Sequence, residues 1–332
     1  MNGPGRTPLR FGVLSTARIL DELRPAFVSS STAELAAIAS RDAGRGSSYA
    51  AEHGIPTSYG SYEELLADDS LDCVYVPLPN SLHAEWVRAA LEAGKHVLCE
   101  KPLTPTAAEA AELFELAEHR GLVLMEAFMY RHHPKARILR EVVTDGRIGT
   151  PVLARMKFHF ECPDPATDIR FRPEMAGGAL RDVGCYCVSL ANFLADAAPA
   201  QVGASARYAA SGVDEVFAGT MRFDDGMVAA FDCGMIGPPE VGVEVVGTTG
   251  RAEVEMPWYA HLEPLSVRLD TGAGSEELAA PGPNAYQLEI ENFCAAVRGE
   301  AEAAISPEET LRNLETLERL LAAATTDRPV PA

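Results

Sequence analysis

Lysine is nearly missing from this chain. Lys95, Lys101, Lys135 and Lys157 are the four lysines among 332 residues, and arginine carries almost all other positive charge. Bases are short altogether, with 28 Lys and Arg against 48 Asp and Glu, a formal net charge of −20. That shortage argues against a nucleic-acid partner, which needs basic patches for its phosphates, and against an anionic membrane surface. No run approaches the roughly 18–20 apolar residues of a membrane span. The opening MNGPGRTPLR lacks the apolar core of a signal peptide, and its Gly and Pro read as a short disordered lead-in. No CxxC, HExxH or Cys/His quartet occurs, and the C-x-C of Cys185 and Cys187 points to two faces of a helix, so no metal site is expected. The seven cysteines, an odd number, read as reduced, buried side chains of a cytoplasmic protein.

What is present is a soluble globular composition, 47% apolar and 23% charged, long enough for two domains. Over residues 1–126, short apolar runs at Leu9–Leu14, Glu34–Ala39, Asp72–Leu78, His96–Cys99 and Leu122–Met125 alternate with helical patterns. Repeated βα units of this length predict an α/β domain with a doubly wound parallel sheet. Over 127–332 longer strand candidates follow one another, with hairpin-like turns at Asp224-Asp225-Gly226 and Thr248-Thr249-Gly250. This predicts an α+β domain with a mostly antiparallel sheet and a flexible loop over Asp270–Pro283. Ser306-Pro307-Glu308-Glu309 marks a helix start, and the resulting helix over 306–324 is expected to pack back on the first domain.

The first strand runs into Gly12-Val13-Leu14-Ser15-Thr16-Ala17-Arg18-Ile19. A strand–turn–helix of this kind brings backbone N–H groups and a helix N-terminus to a pyrophosphate. Ser15 and Ala17 stand where glycines would be preferred. The second strand ends Ala39-Ser40-Arg41, with Arg45 one helical turn on. A hydroxyl and guanidinium groups suit a 2′-phosphate, so NADP is favoured over NAD, while Asp42 keeps a ribose-binding acid open. The third long strand ends at Pro77-Leu78-Pro79-Asn80, where a ligand is expected. Asn80 can contact the cofactor or cap the next helix, and His83 on that helix can contact it or be packed.

Lys101 follows Glu100 at the end of an apolar run. An ammonium can give up a proton where a guanidinium cannot. In the second half, Gly177-Gly178-Ala179-Leu180-Arg181-Asp182-Val183-Gly184-Cys185-Tyr186 places Tyr186 one turn after Asp182 if Asp182 opens a helix. Tyr with Lys is a sound acid/base pair for hydride chemistry, because an alcohol that loses hydride also loses its hydroxyl proton. The plainer reading is a helix cap, a core tyrosine and a surface lysine, with Glu100 orienting Lys101 only if the functional reading holds.

Together these motifs resemble the Gfo/Idh/MocA oxidoreductases, through the Gly-containing turn, Pro79-Asn80-x-x-His83, Ala93-Gly94-Lys95-His96-Val97 running into Glu100-Lys101-Pro102, and Gly177-Gly178-x-Leu180-x-Asp182-x-Gly184-x-Tyr186. The resemblance implies an N-terminal Rossmann domain and a C-terminal open-faced sheet domain whose sheet joins a homodimer or homotetramer. It implies hydride transfer between NAD(P) and a small sugar-like substrate. Lys101 and Tyr186 then become the proton-handling pair and Asp182 a partner of substrate or lysine. Tyr at 186 and Glu126–Pro134 lean toward the aldose, dihydrodiol and nucleotide-ketosugar branch. Arg170 is placed near the cofactor, and Phe160, Phe171 and Arg131 near the substrate. An NADP-dependent aldose 1-dehydrogenase of the xylose type is the first expectation. A nucleotide-ketosugar reductase, a dihydrodiol dehydrogenase and a non-catalytic NADP sensor are the alternatives.

Overall fold

A computed structural model describes residues 7–326, and the Gly/Pro lead-in lies outside them. The chain divides into two units. The first draws on residues up to Thr104, Ala108–His132 and Asn284–Pro307; the second on Pro105–Ala107, His133–Pro283 and the chain from Glu308. The first unit thus runs through His132 at this point, and the final helix groups with the second unit.

The first unit holds one parallel sheet of β1 (Leu9–Leu14), β2 (Ala33–Ala39), β3 (Thr57–Tyr59), β4 (Cys73–Val76), β5 (His96–Glu100) and β6 (Leu124–Ala127), in the order β3-β2-β1-β4-β5-β6. Phe11, Val13, Val74, Tyr75, Val97 and Leu98 are fully buried, as near-continuous apolar runs should be when helices cover both faces. Those helices are α1 (Leu20–Ser29), α2 (Ala43–His53), α3 (Tyr62–Leu66), α4 (Asn80–Glu92) and α5 (Ala107–Arg120). Ser61 caps α3: Glu64 N donates to its Oγ at 3.1 Å, and the Glu64 carboxylate accepts Gly60 N at 2.9 Å. The strand at Thr57–Tyr59 was not foreseen, because three residues carry too little pattern.

Gly12 has a packing role. A Cβ there would stand 2.6 Å from Leu65 and 2.8 Å from Leu71, so the glycine makes room for the side chains that seat α3 on β1.

The second unit opens with α6 (Pro134–Thr144) and β7 (Pro151–His159), passes through α7 (Cys185–Ala195), and continues with β8 (Gln201–Tyr208), β9 (Asp214–Arg222), β10 (Val228–Gly234), β11 (Glu240–Gly247), β12 (Gly250–Val254), β13 (Ser266–Thr271) and β14 (Gly274–Ala279). The eight strands form one sheet, in the order β14-β13-β12-β11-β7-β10-β9-β8. Every pairing is antiparallel except that of β7 with β10. Helix α8 (Ala285–Val297) returns to the first unit, and α9 (Pro307–Thr326) ends the described chain. The expected loop at Asp270–Pro283 is in fact largely the β13–β14 hairpin. Five of the six β14 residues are exposed, so no apolar alternation announced the strand.

Alternation on β7 sorts the two faces of this sheet. Ala154, Met156 and Phe158 are buried on one. There Phe158 stacks on Trp258 at 5.9 Å, and Gly219 leaves room for Phe231 and for Leu320 of α9. The other face carries Gly203, Ser205, Ala218, Thr220 and Gly242 together with the pairs Arg155–Glu244, Lys157–Glu240 and His159–Asp232.

Candidate active site

In the first unit the strand order reverses between β1 and β4, the switch point where this architecture binds ligands beyond the strand ends. Ser15 follows β1 with φ +119°, a conformation that L side chains rarely adopt, and its N–H donates to Ala39 O at 2.9 Å. Leu20 N and Asp21 N bond Ala17 O and Arg18 O at 3.0 Å each, so α1 is already winding from Ala17. The turn Ser15–Ile19 therefore sets a helix N-terminus, with its partial positive charge, at the end of β1.

The end of β2 separates the three residues expected there. Ser40 is fully buried, and its Oγ accepts Asp42 N at 3.2 Å, so it serves the turn and is not presented to a ligand. Asp42 caps α2 by accepting Arg45 N at 3.0 Å. Arg41 and Arg45 are exposed, and neither forms an ion pair among the described residues. Two guanidinium groups without carboxylate partners, beside an acid committed to a helix cap, fit a 2′-phosphate.

Past β4, Pro77 and Leu78 are buried, Pro79 is half-exposed, and half-exposed Asn80 begins α4. Pro79, not Asn80, holds the cap position. His83 is fully buried, with ring nitrogens 2.9 Å from Pro102 O and 2.7 Å from Leu78 O. Burial lowers its pKa and the Lys101 charge adds to this, while the two carbonyls pull the other way. We take burial to win, leaving a neutral ring that donates to one carbonyl only. His83 thus stitches the Leu78 segment to the loop that carries Lys101, and it offers no free edge to a cofactor.

Glu100 ends β5, and Tyr75 donates its hydroxyl to Glu100 Oε1 at 2.5 Å. Burial pushes that phenol well above its usual pKa, and the nearby Glu100 charge adds to it. Glu289 of α8 is buried too, its pKa raised by burial and then by Glu100. Lys101 follows, half-exposed, and behind it buried Glu126 accepts Leu103 N at 2.9 Å. Tyr75 and Glu289 were missed in the sequence. The signal available was an acid or a phenol at a buried position of an otherwise apolar element. Arg131 lies half-buried in a 3₁₀ turn, Met129–His132.

In the second unit the paired glycines are wedged. A Cβ on Gly177 would meet Arg170 O at 2.2 Å, and one on Gly178, whose φ is +118°, would meet Asp214 Oδ1 at 2.1 Å. Gly178 N donates to Arg170 O at 2.9 Å and Leu180 N to Asp214 Oδ2 at 2.7 Å. The chain then makes a π-turn, Leu180–Gly184, and enters α7. Asp182 sits inside this turn and does not open α7, so the condition on which the one-turn spacing to Tyr186 was read is not met. Arg170 Nε donates to Asp182 Oδ2 at 2.7 Å, and Arg170 Nη1 lies 3.3 Å from Asp168. The Asp182 charge, more than that of Asp168, holds the Arg170 guanidinium in its charged form. The Arg170 guanidinium lies 5.7 Å from the Phe160 ring centre. Tyr186 is 6% exposed, its ring edge-on to Phe158 at 5.2 Å. Phe171, expected near substrate, is buried. Among the described residues no cluster of His, Cys, Asp and Glu is fit to hold a metal, and all seven cysteines are free and buried.

Against known families, residues 9–128 match the oxidoreductase family model with an NAD-binding Rossmann fold, and residues 136–253 match its partner C-terminal domain model. The chain belongs to the Gfo/Idh/MocA oxidoreductase family. Among its relatives is a protein named D-xylose 1-dehydrogenase (NADP(+)) 2 from Haloferax volcanii, 40% identical across 97% of this chain and 99% of that one. A dTDP-3,4-didehydro-2,6-dideoxy-alpha-D-glucose 3-reductase from Saccharopolyspora spinosa is 35% identical across 88% of this chain and 89% of its own. The solved 3-ketoreductase of Actinomadura kijaniata, in complex with NADP and TDP-benzene, superposes with a TM-score of 0.88 at 32% identity over 96% of this chain and 98% of that one. Structures of that ketoreductase with one lysine or one tyrosine replaced superpose at 0.84 and 0.87. No helix among the described residues is long and apolar enough to cross a membrane.

Proposed function

We propose that this Gfo/Idh/MocA protein is an NADP-dependent aldose 1-dehydrogenase of the xylose type. The observation that carries the proposal is the full-length likeness to a protein of that name. For the cofactor, the support is the end of β2, where Arg41 and Arg45 are exposed and Asp42 is occupied as a cap. The turn Ser15–Ile19 would hold the pyrophosphate, and the segment from Pro77 to Asn80 would line the cofactor's path. The nicotinamide, when bound, takes up or gives the hydride.

The chain's own residues then handle the proton. Tyr186 Oη accepts the proton leaving the sugar's C1 hydroxyl, and the Lys101 ammonium favours the phenolate that does so. Asp182, held through Arg170, fixes the position of the substrate hydroxyl. Glu100, itself fixed by Tyr75, orients Lys101. Arg131 and Phe160 are offered to the substrate as well. Two copies of the chain associate through the face of the second sheet that carries Gly203, Ser205 and Thr220, and the reduced cysteines suit a cytoplasmic enzyme.

A reductase acting on a nucleotide-linked ketosugar is the second reading, favoured by the likeness to the ketoreductase. The test is turnover of purified protein with NADP⁺ or NAD⁺ and D-xylose, and with NADPH and a dTDP-ketosugar. Xylose-dependent reduction of NADP⁺, lost by about a hundredfold or more in Tyr186→Phe and Lys101→Met, is expected. Turnover of the ketosugar alone would establish the second reading, and equal affinity for NADP⁺ and NAD⁺ would overturn the role given to Arg41 and Arg45. Cofactor binding with no turnover on either substrate would point to a sensor.

A further inference from the structure

We infer that Asp214 is a positioning residue: by capping the turn that begins at Ala179 from a strand far away in sequence, its carboxylate sets where Asp182 and Tyr186 stand. The inference rests on the roles given to those two residues above. Asp214 opens β9 and is 5% exposed. The alternation of β9 buries Phe217 and Met221 and would turn Asp214 outward. The register shift opposite it, between Arg207 and Tyr208, turns it in. Its Oδ2 accepts Leu180 N at 2.7 Å, and Ala179 N–H also favours the charged form. The helical segment has no cap of its own, since its cap residue is Ala179. Asp214 therefore satisfies N–H groups that would otherwise be orphaned in the interior.

The fit leaves no slack. Gly178 can occupy its position only because it has no side chain to strike Asp214. On the far side, Arg170 O holds Gly178 N, and Arg170 itself grips Asp182. Asp182 is thus fixed from both ends, by its own ion pair and by the capped turn on which it rides. Tyr186 follows directly on the π-turn into α7, so a shift of the cap moves the phenol with the helix.

Such a cap costs stability. Burial lifts the Asp214 pKa to about 6, against the N–H groups and the Arg181 charge that lower it. The titratable groups facing it are Arg181 on the capped segment and the Cys233 thiol from β10, with Glu318 of α9 acting on Arg181. As pH falls through about 6 the carboxylate takes up a proton and becomes a weaker acceptor for Leu180 N–H, so the cap is reset without the segment opening, since a raised folded pKa means that protonation favours the folded state.

Two readouts on Asp214→Asn test this. In the xylose–NADP⁺ assay, kcat should fall about a hundredfold with KM values near those of the parent, and the acid limb near pH 6 should vanish. Amide hydrogen exchange, which needs no turnover, should show Leu180–Tyr186 opening faster in the variant at neutral pH. In the parent, the same amides should gain protection relative to the variant as pH falls below 6, because protonation relieves the buried charge. Unchanged kcat and pH profile in an active parent would overturn the inference, and so would unchanged exchange whatever the activity. Altered exchange in a parent that turns over no substrate would support the cap and sink the reading of Tyr186 instead. Asp214→Glu, which keeps the charge but lengthens the reach, should restore the acid limb with kcat still reduced.

Discussion

Ser15 and Gly178 share a backbone dihedral, φ +119° and +118°, and solve it differently. At the end of β1 a serine tolerates the strain, and the turn stays open for a ligand's phosphates. At the head of the helical segment nothing but glycine fits, because Asp214 Oδ1 lies 2.1 Å from where a Cβ would be. A positive φ alone selects for glycine only weakly, at about 1–3 kcal/mol. Close approach by a fixed neighbour makes the demand absolute. The turn after β1 is therefore a tolerant device, and the turn that carries Asp182 and Tyr186 is an exacting one.

Gly178→Ala is the strongest way to break this contrast. It should cost about 3 kcal/mol or more, since the dihedral strain and the displacement of Asp214 add, and it should abolish turnover. Chemical denaturation of parent and variant measures the loss, and a variant of near-parent stability would show that Asp214 yields readily.

A pH series on Asp214→Asn sharpens the contrast next. The folded pKa lies near 6, above the unfolded value near 3.8, so this group's contribution to stability is present below about 4 and lost as pH rises through 6. At most it amounts to about 3 kcal/mol. The variant, which cannot ionise there, should gain on the parent by about 2 kcal/mol between pH 4 and 7. A constant difference across that range would mean the carboxylate is not penalised by its surroundings.

The smallest effect belongs to the tolerant turn. Ser15→Gly should relieve strain and raise stability by about 1 kcal/mol or less, after the entropy of the added glycine is subtracted. A thermal melt that moved downward would show that the serine side chain contributes more than its backbone costs.

What the sequence disclosed follows from how local each signal is. The βα alternation, the Ser61 capping box and the placement of Lys101 after β5 are written in neighbouring residues, and all are found in the fold. The site was legible only as a set of motifs. Gly12 looked like a pyrophosphate glycine, and its neighbours Leu65 and Leu71 were invisible until α3 was seated. Ser40 looked like a phosphate ligand and turned out to hold its own turn. His83 presented both readings, and the packed one prevailed. Asp214 gave no sign at all, because alternation along β9 points it outward and only the extra residue of β9 at the register shift against β8 turns it in. Edge strand β14 was hidden for a related reason: its pairing is through backbone, and exposed side chains leave no trace of it.

The single parallel pairing in the second sheet, β7 with β10, has a kinetic meaning. Antiparallel neighbours can zip from a hairpin, but this pair joins strands whose intervening chain contains α7, β8, β9 and the whole Gly177–Tyr186 segment. Closing it, like closing the antiparallel pair of β7 with β11, is a slow, long-range event in assembling the sheet. The segment that would handle the proton is enclosed in that closure, packed against β7 and β10 as they meet. A chain in which Gly177–Tyr186 cannot seat would thus be held up at the middle of its own sheet, so folding itself screens for a well-formed Gly177–Tyr186 turn.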